Sequence, residues 1–319
     1  MNHRVRNIII SACVVVGLAG GVFFINRIPE KSTTSSSSSS SSIALLSYDS
    51  SKFKSMKVTS ANSNYTVSYT DGTYHIDTLQ NAPTNQDAVK AKVADAVSAK
   101  ATKLIAKNAS DLAQYGLSPA SLTISIATND GKTTELKIGN KSASSSGVYV
   151  QKPGTNDVYL SSALMNDDFS QSPLVYASVT VSQLSTSAQL TNYQFGGASR
   201  TTPISVKVTP KTSSGSTTYT YNVTSPINYE ANTTNLDAIT TALQSLSATS
   251  VASVDMSSSS LSNYGLLNPA YTLTYTADGK DTTLSFGNAD ANSHTVYMTV
   301  TGKSAIDQVD TSSAATFYN

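Results

Sequence analysis

The sequence predicts an α+β protein: two tandem copies of one unit, each a mostly antiparallel sheet covered by one helix, behind an N-terminal transmembrane helix. Three observations predict it. Short motifs recur about 150 residues apart, each recurrence holds strand-like alternation on both sides of one helical stripe, and an apolar run precedes both copies.

The apolar run begins at Ile8, ends at Ile25 and contains no charged residue. As a helix it would be roughly 27 Å long, close to the ~30 Å hydrocarbon core of a bilayer. Arg4 and Arg6 precede it and Arg27 and Lys31 follow, so flanking charge orients it weakly. The short tail before it and the long polar remainder after it favour an N-inside, C-outside anchor. A cleaved signal peptide is the first rival, but Asn26-Arg27-Ile28-Pro29 follows the run where small residues would mark cleavage. A lipoprotein signal is the second, since Ile10-Ser11-Ala12-Cys13 looks like a lipobox. The apolar stretch before it is short, and the run continues past Cys13. Residues 32–42 are almost pure Ser and Thr, with too little apolar surface to bury, and read as a flexible tether.

The expected plan is therefore a cytoplasmic tail and anchor over 1–30, a tether over 31–42, a first repeat over 43–172 and a second over 173–319. Composition narrows the function classes. The formal net charge is +1 and charged residues make up 13%, without the basic excess a nucleic-acid partner requires. Cys13 is the single cysteine, so the folded part has no disulfide, thiol catalysis or cysteine metal site to offer.

Seven motifs recur in the same order. Lys57-Val58-Thr59 matches Lys207-Val208-Thr209, and Thr84 with Asp87 matches Thr234 with Asp237. Tyr115-Gly116-Leu117 matches Tyr264-Gly265-Leu266, and Pro119 matches Pro269. Asp130-Gly131, Ile138-Gly139-Asn140 and Val148-Tyr149 match Asp278-Gly279, Phe286-Gly287-Asn288 and Val296-Tyr297.

Each copy reads in the same order. Residues 65–69 and 219–223 alternate as strands. A helix follows, capped by Thr84 in one copy and Thr234 in the other. Val89, Val93 and Val97, with Leu104 beyond, form its apolar stripe in the first copy; Leu236, Ile239, Leu243 and Leu246 form it in the second. A hairpin comes next. Leu122, Ile124 and Ile126 lead into a primed turn at Asp130-Gly131, and Leu136 and Ile138 return. The second copy runs through Tyr271, Leu273 and Tyr275 to Asp278-Gly279, then Leu284 and Phe286. Two more strands close each unit, near 148–150 and 158–160, and near 296–300 and 306–309.

The ordered set Tyr115, Gly116, Leu117, Pro119, Asp130, Gly131, Ile138, Gly139 and Tyr149 resembles the bacterial family catalogued as domain of unknown function 4340. The second copy keeps the set, with one extra residue before Pro269 and Phe286 in place of the isoleucine. The resemblance covers nearly all of 43–319. It implies a membrane-anchored, extracytoplasmic protein of a kind associated with ABC-class transporter components or gliding-motility auxiliaries. It carries no catalytic residue and no cofactor.

Few residues stand out as sites. Tyr115, Gly116, Leu117 and Pro119, with Tyr264, Gly265, Leu266 and Pro269, are the sharpest local features. Their tyrosines could contact a partner. The structural reading is preferred, because Gly and Pro at such junctions are ordinary punctuation. His75 and His294 occupy unlike positions in the two copies, and no nucleophile-elbow pattern accompanies them. Asp167-Asp168 reads as a solvated turn, Asp87 and Asp95 as a helix face, and Gly196-Gly197 as a loop. No metal or cofactor is expected. The expected function is a non-enzymatic accessory or binding protein. Its partners would be the membrane, through Ile8 to Ile25, and an envelope or ABC-transporter-type protein. An envelope hydrolase or glycan-processing enzyme, and a structural spacer or adhesin, are the alternatives.

Overall fold

Period-two alternation decides which residues pair. Leu122, Ile124 and Ile126 are fully buried while the residues between them are half-exposed, so one face of their strand must be covered. The computed structural model describes residues 42–143, 147–182, 184–213 and 216–318. The anchor over 1–30, and all but the last residue of the tether, lie outside the described residues. Among the described residues no helix is long and apolar enough to cross a membrane.

The first repeat contains β1 (Ile43–Ala44), β2 (Phe53–Ser60), β3 (Asn64–Thr70), β4 (Thr73–Ile76), β5 (Lys100–Ala101), β6 (Lys103–Ala106), β7 (Leu122–Thr128), β8 (Thr133–Lys141), β9 (Val148–Gln151) and β10 (Val158–Ser161). Eight of these make one antiparallel sheet in the order β4-β3-β2-β7-β8-β9-β10-β6. Helix α1 (Gln86–Val97) covers one face, and a short helix α2 (Leu164–Phe169) follows β10.

The second repeat contains β11 (Thr180–Ser182), β12 (Leu190–Gly196), β13 (Ile204–Ser213), β14 (Ser216–Ser225), β15 (Tyr229–Glu230), β16 (Leu246–Ser247), β17 (Ser250–Ser253), β18 (Tyr271–Ala277), β19 (Lys280–Asp290), β20 (Thr295–Val300) and β21 (Ile306–Asp310). Its sheet runs β15-β14-β13-β12-β18-β19-β20-β21-β17. Helix α3 (Thr233–Ser245) covers it, with α4 (Ser258–Asn263) at the corner and α5 (Thr311–Ala315) near the end. The two sheets have the same strand order apart from the extra edge strand β15, and the α+β expectation of two tandem antiparallel units stands.

Pairing corrects how the copies align. Val58 pairs with Ile124, and Phe195 pairs with Leu273, so β2 corresponds to β12. Lys207-Val208-Thr209 lies in β13, the counterpart of β3, and is not equivalent to Lys57-Val58-Thr59. Residues 65–69 and 219–223 are mismatched in the same way, because β14 corresponds to β4. A polar-apolar-polar triplet suits any half-buried strand, so it cannot fix which strand it came from.

The helix caps move as well. The Asn85 side chain accepts from the Ala88 amide at 3.1 Å, and Asn232 accepts from Thr234 at 2.9 Å. Thr84 lies just outside its helix and Thr234 inside the first turn. Asparagine is the stronger N-cap, and it takes the position in both copies. Val89, Val93 and Val97 are buried as expected. Burying each contributes roughly 1.5–3 kcal/mol relative to exposure. Leu104 is not on that stripe: it is 42% exposed on the edge strand β6. Leu246 is buried, in β16 just beyond its helix.

Asp278-Gly279 makes the expected primed hairpin, with φ of 52° and 74°. In the corresponding turn of the first copy, Asp130 does not have positive φ and Gly131 does, and the Gly131 amide donates to the Thr128 carbonyl at 3.0 Å. That turn is centred on Asn129-Asp130, with Gly131 as the left-handed residue that follows.

The repeats share a core. Val251 and Ala305 of the second repeat belong to the buried cluster of the first. The connecting chain is bonded to both sides: the Ser178 amide donates to the Pro83 carbonyl at 2.7 Å, and the Ala248 amide to the Val179 carbonyl at 2.8 Å.

Candidate functional site

The recurring Tyr-Gly-Leu corner was the sharpest feature of the sequence, and the structure places both copies against a strand bulge. The ladder shifts register between Ile138 and Lys141 of β8, and between Phe286 and Ala289 of β19. At those bulges Gly139 and Gly287 face the corner. A Cβ on Gly139 would sit 2.1 Å from the Tyr115 carbonyl oxygen, and one on Gly287 2.2 Å from that of Tyr264. Gly116 and Gly265 have φ of 68° and 72°, in the left-handed region, and lie against the Asn140 and Asn288 side chains. The Asn288 amide donates to the Tyr264 carbonyl at 2.8 Å. Leu117 and Leu266 are buried. Pro119 lies within the small bridge between Leu117 and Ala120, and the Pro269 carbonyl accepts from Ala198 at 2.9 Å.

The corner tyrosines are engaged within the fold. Tyr115 meets Tyr149 edge-on at 5.1 Å, and Tyr264 meets Tyr297 in the same way at 4.6 Å. Such pairs add about 0.5–1.5 kcal/mol beyond area burial. The two corners therefore act chemically as packing locks with like surroundings in each repeat.

A groove of about 940 Å³ lies in the first repeat. Its floor comes from the start of β8 and the end of β9, one wall from residues 45–48, and the other from the loop 152–156. The loop is held from within. The Gln151 side-chain nitrogen donates to the Thr155 carbonyl at 2.7 Å, and the Thr155 amide donates to the Lys152 carbonyl at 3.2 Å. Tyr48 and Thr134 are hydrogen-bonded through their hydroxyls across the floor. Glu135 and Lys137 stand 3.5 Å apart and offset each other's charge. The Gln151 side-chain oxygen is buried and accepts no hydrogen bond from any described residue. The groove thus offers amides and hydroxyls in fixed places.

Sequence reasoning missed the most buried charges. Lys303 is 8% exposed and Asp307 fully buried. The Lys303 ammonium donates to both Asp307 oxygens, at 2.7 and 2.9 Å, and to the carbonyls of Ser178 and Thr180, each at 2.9 Å. It thereby clamps the connecting chain to the second sheet. Burial pushes the Asp307 carboxyl up to about 6, and the bonds from Lys303 oppose that rise. A Lys and an Asp four residues apart are common, so the only signal was that the pair sits among strand-forming residues.

The remaining candidates lie apart. His75 is exposed on β4, and His294 occupies an exposed turn before β20 in the other sheet. Asp167 and Asp168 lie in α2 rather than in a solvated turn. Asp167 pairs with Lys141 at 3.1 Å, and the hydrogen bond from that ammonium holds its carboxyl below the usual carboxylate range. Asp168 pairs with Lys92 at 2.9 Å, and Lys92 also reaches Asp95 at 3.5 Å. Asp87 is in the first turn of α1. Gly196 closes β12 and Gly197 begins the turn after it. Among the described residues no three His, Cys, Asp or Glu side chains gather as metal ligands.

Residues 75–210 and 222–318 match the family described as Domain of unknown function (DUF4340). The chain belongs to that family. The two DUF4340 segments begin 147 positions apart, which is also the spacing of the capping residues Asn85 and Asn232. Each segment starts at the same place in its repeat, in β4 or in β14. No curated protein and no solved structure matches this DUF4340 chain.

Proposed function

We propose that this chain is a non-enzymatic accessory or binding protein. It is anchored in the cell membrane through the apolar run from Ile8 to Ile25, with both repeats outside the cytoplasm, and it serves a transport or envelope complex. The observation that carries the binding reading is the groove of the first repeat, about 940 Å³ and lined by preorganised amides and hydroxyls. Such a lining recognises a neutral, hydrogen-bonding ligand through geometry more than charge. Against the hydrolase alternative stand the placement of His75 and His294 in different sheets and the capture of Asp95 and Asp168 by one lysine. The motif-bearing corners support the fold and leave the grooves and edges for recognition.

The test is affinity capture from native membranes with the full-length protein, beside a variant carrying Gln151→Ala and Asn156→Ala. Recovery of a transporter or envelope component by the parent, reduced at least several-fold in the variant, is the expected result. Equal recovery of unrelated background by both would remove the reading.

A further inference from the structure

The two repeats agree where the fold needs agreement and part company on the floor of the groove. Ile138 and Phe286 are the buried residues before the two bulges, and they pair with Leu122 and Tyr271, the first residues of their hairpins. Counted back from them, Glu135 and Lys137 of β8 correspond to Thr283 and Ser285 of β19. Lys137 pairs with Gln151 as Ser285 pairs with Thr299, so Gln151 corresponds to Thr299. By alternation all six lie on the sheet face turned away from the core. The second repeat builds the same pairing with Thr, Ser and Thr, so the fold does not demand Glu135, Lys137 or Gln151.

These three side chains line the groove together. Glu135 and Lys137 are 49% and 40% exposed and so reach its solvent. The bond to the Thr155 carbonyl orients the Gln151 carboxamide. Beside them the Asn108 amide donates to the Asp157 carboxylate at 2.8 Å, and the Asn156 carbonyl accepts from the Ala109 amide at 2.9 Å. Those bonds fix the backbone of both asparagines and leave their exposed side chains at the groove. Tyr48, held through its hydroxyl by Thr134, and Pro153 supply apolar surface. The charged lining residues, Glu135, Lys137 and Lys152, sum to one positive charge, which is no cradle for a polyanion. A peptide cannot extend the sheet here, because β8 and β9 each have a strand on both sides. The lining instead matches a molecule with paired donors and acceptors along its edges and C–H groups on its faces. A sugar ring has that pattern, since each hydroxyl both donates and accepts. The volume, about 940 Å³, is near the upper end of the ~300–1,000 Å³ of small-molecule sites and leaves room for several rings.

We propose that the groove of the first repeat binds a short oligosaccharide. Glu135, Lys137 and Gln151 bond its hydroxyls, Asn156 bonds it from the loop, and Tyr48 and Pro153 face its rings. The second repeat, with Thr283, Ser285 and Thr299 in the same places, lacks that set. This deepens the binding reading by naming the class of ligand, and it rests on that reading.

The probes are maltotetraose and tetra-N-acetylchitotetraose, titrated by calorimetry into the purified full-length protein. Saturable binding of either is expected. It should weaken at least tenfold in the variant carrying Glu135→Thr, Lys137→Ser and Gln151→Thr, which installs the residues the second repeat already uses. Asn156→Ala should weaken it several-fold, and that exposed loop position keeps the test valid if the triple variant misfolds. No saturation at millimolar glycan would overturn the proposal. So would affinity unchanged in both variants, or full displacement by inorganic phosphate or tetraglycine, which would mark an anion or a peptide site. Partner capture that depends on Gln151 and Asn156, with neither glycan bound, removes the glycan alone. A bound glycan with no captured partner removes the transport or envelope reading alone.

Discussion

Replacing Lys303 with methionine would test whether the two repeats are fused through a buried charge. The side chain keeps nearly the same length, so packing is largely preserved, but four contacts vanish: two to Asp307 and one each to the carbonyls of Ser178 and Thr180. Asp307, with no exposed surface, is left as an unpaired carboxylate. Removing one partner of a buried pair costs about 3–5 kcal/mol. The variant should therefore lose about that much stability at pH 8. The acid's own titration supplies a second signature. Its carboxyl lies near 6 in the folded protein against the ordinary 3.8, so the folded state holds that proton more tightly. Its contribution to stability is fully present below 3.8 and declines as pH rises through about 6. The variant should thus recover part of its loss at pH 5, where protonation removes the unpaired charge. Urea unfolding at pH 5 and pH 8, followed by the near-ultraviolet signal of the seventeen tyrosines, measures both effects. A loss under 1 kcal/mol at pH 8, or the same loss at both pH values, would refute the reasoning.

The other predictions concern local structure. Gly139→Ala puts a methyl group against the Tyr115 carbonyl at 2.1 Å and should cost about 3 kcal/mol, whereas Gly72→Ala, with φ of 79° and open space, should cost about 1–2 kcal/mol. Thermal melts of the two variants compare them directly. Asn85→Ala should lower stability by about 1 kcal/mol and Thr84→Ala by little, which denaturant midpoints will separate. Gln86→Ala removes the bonds its side chain makes with the amide and carbonyl of Tyr74, at 2.7 and 2.9 Å, and should cost about 1–2 kcal/mol, with faster amide exchange along β4.

Alternation and helical spacing are properties of neighbouring residues, which is why the α+β class, the duplication, the helices and the later strands could be read directly. Val89, Val93 and Val97 fall on one buried stripe by spacing alone. The recurring Gly139-Asn140 and Gly287-Asn288 steps mark their bulges because so close an approach leaves no room for a side chain. The candidate sites were far less legible. The groove is assembled from segments more than a hundred positions apart. The register of the first strands, the place of Leu104 on a sheet edge, the clamp of Lys303 and the core shared through Val251 and Ala305 were settled by tertiary pairing. A triplet such as Lys57-Val58-Thr59 fits several strands equally well locally, and only the partner across the sheet, chosen by the whole core as it closes, distinguishes them.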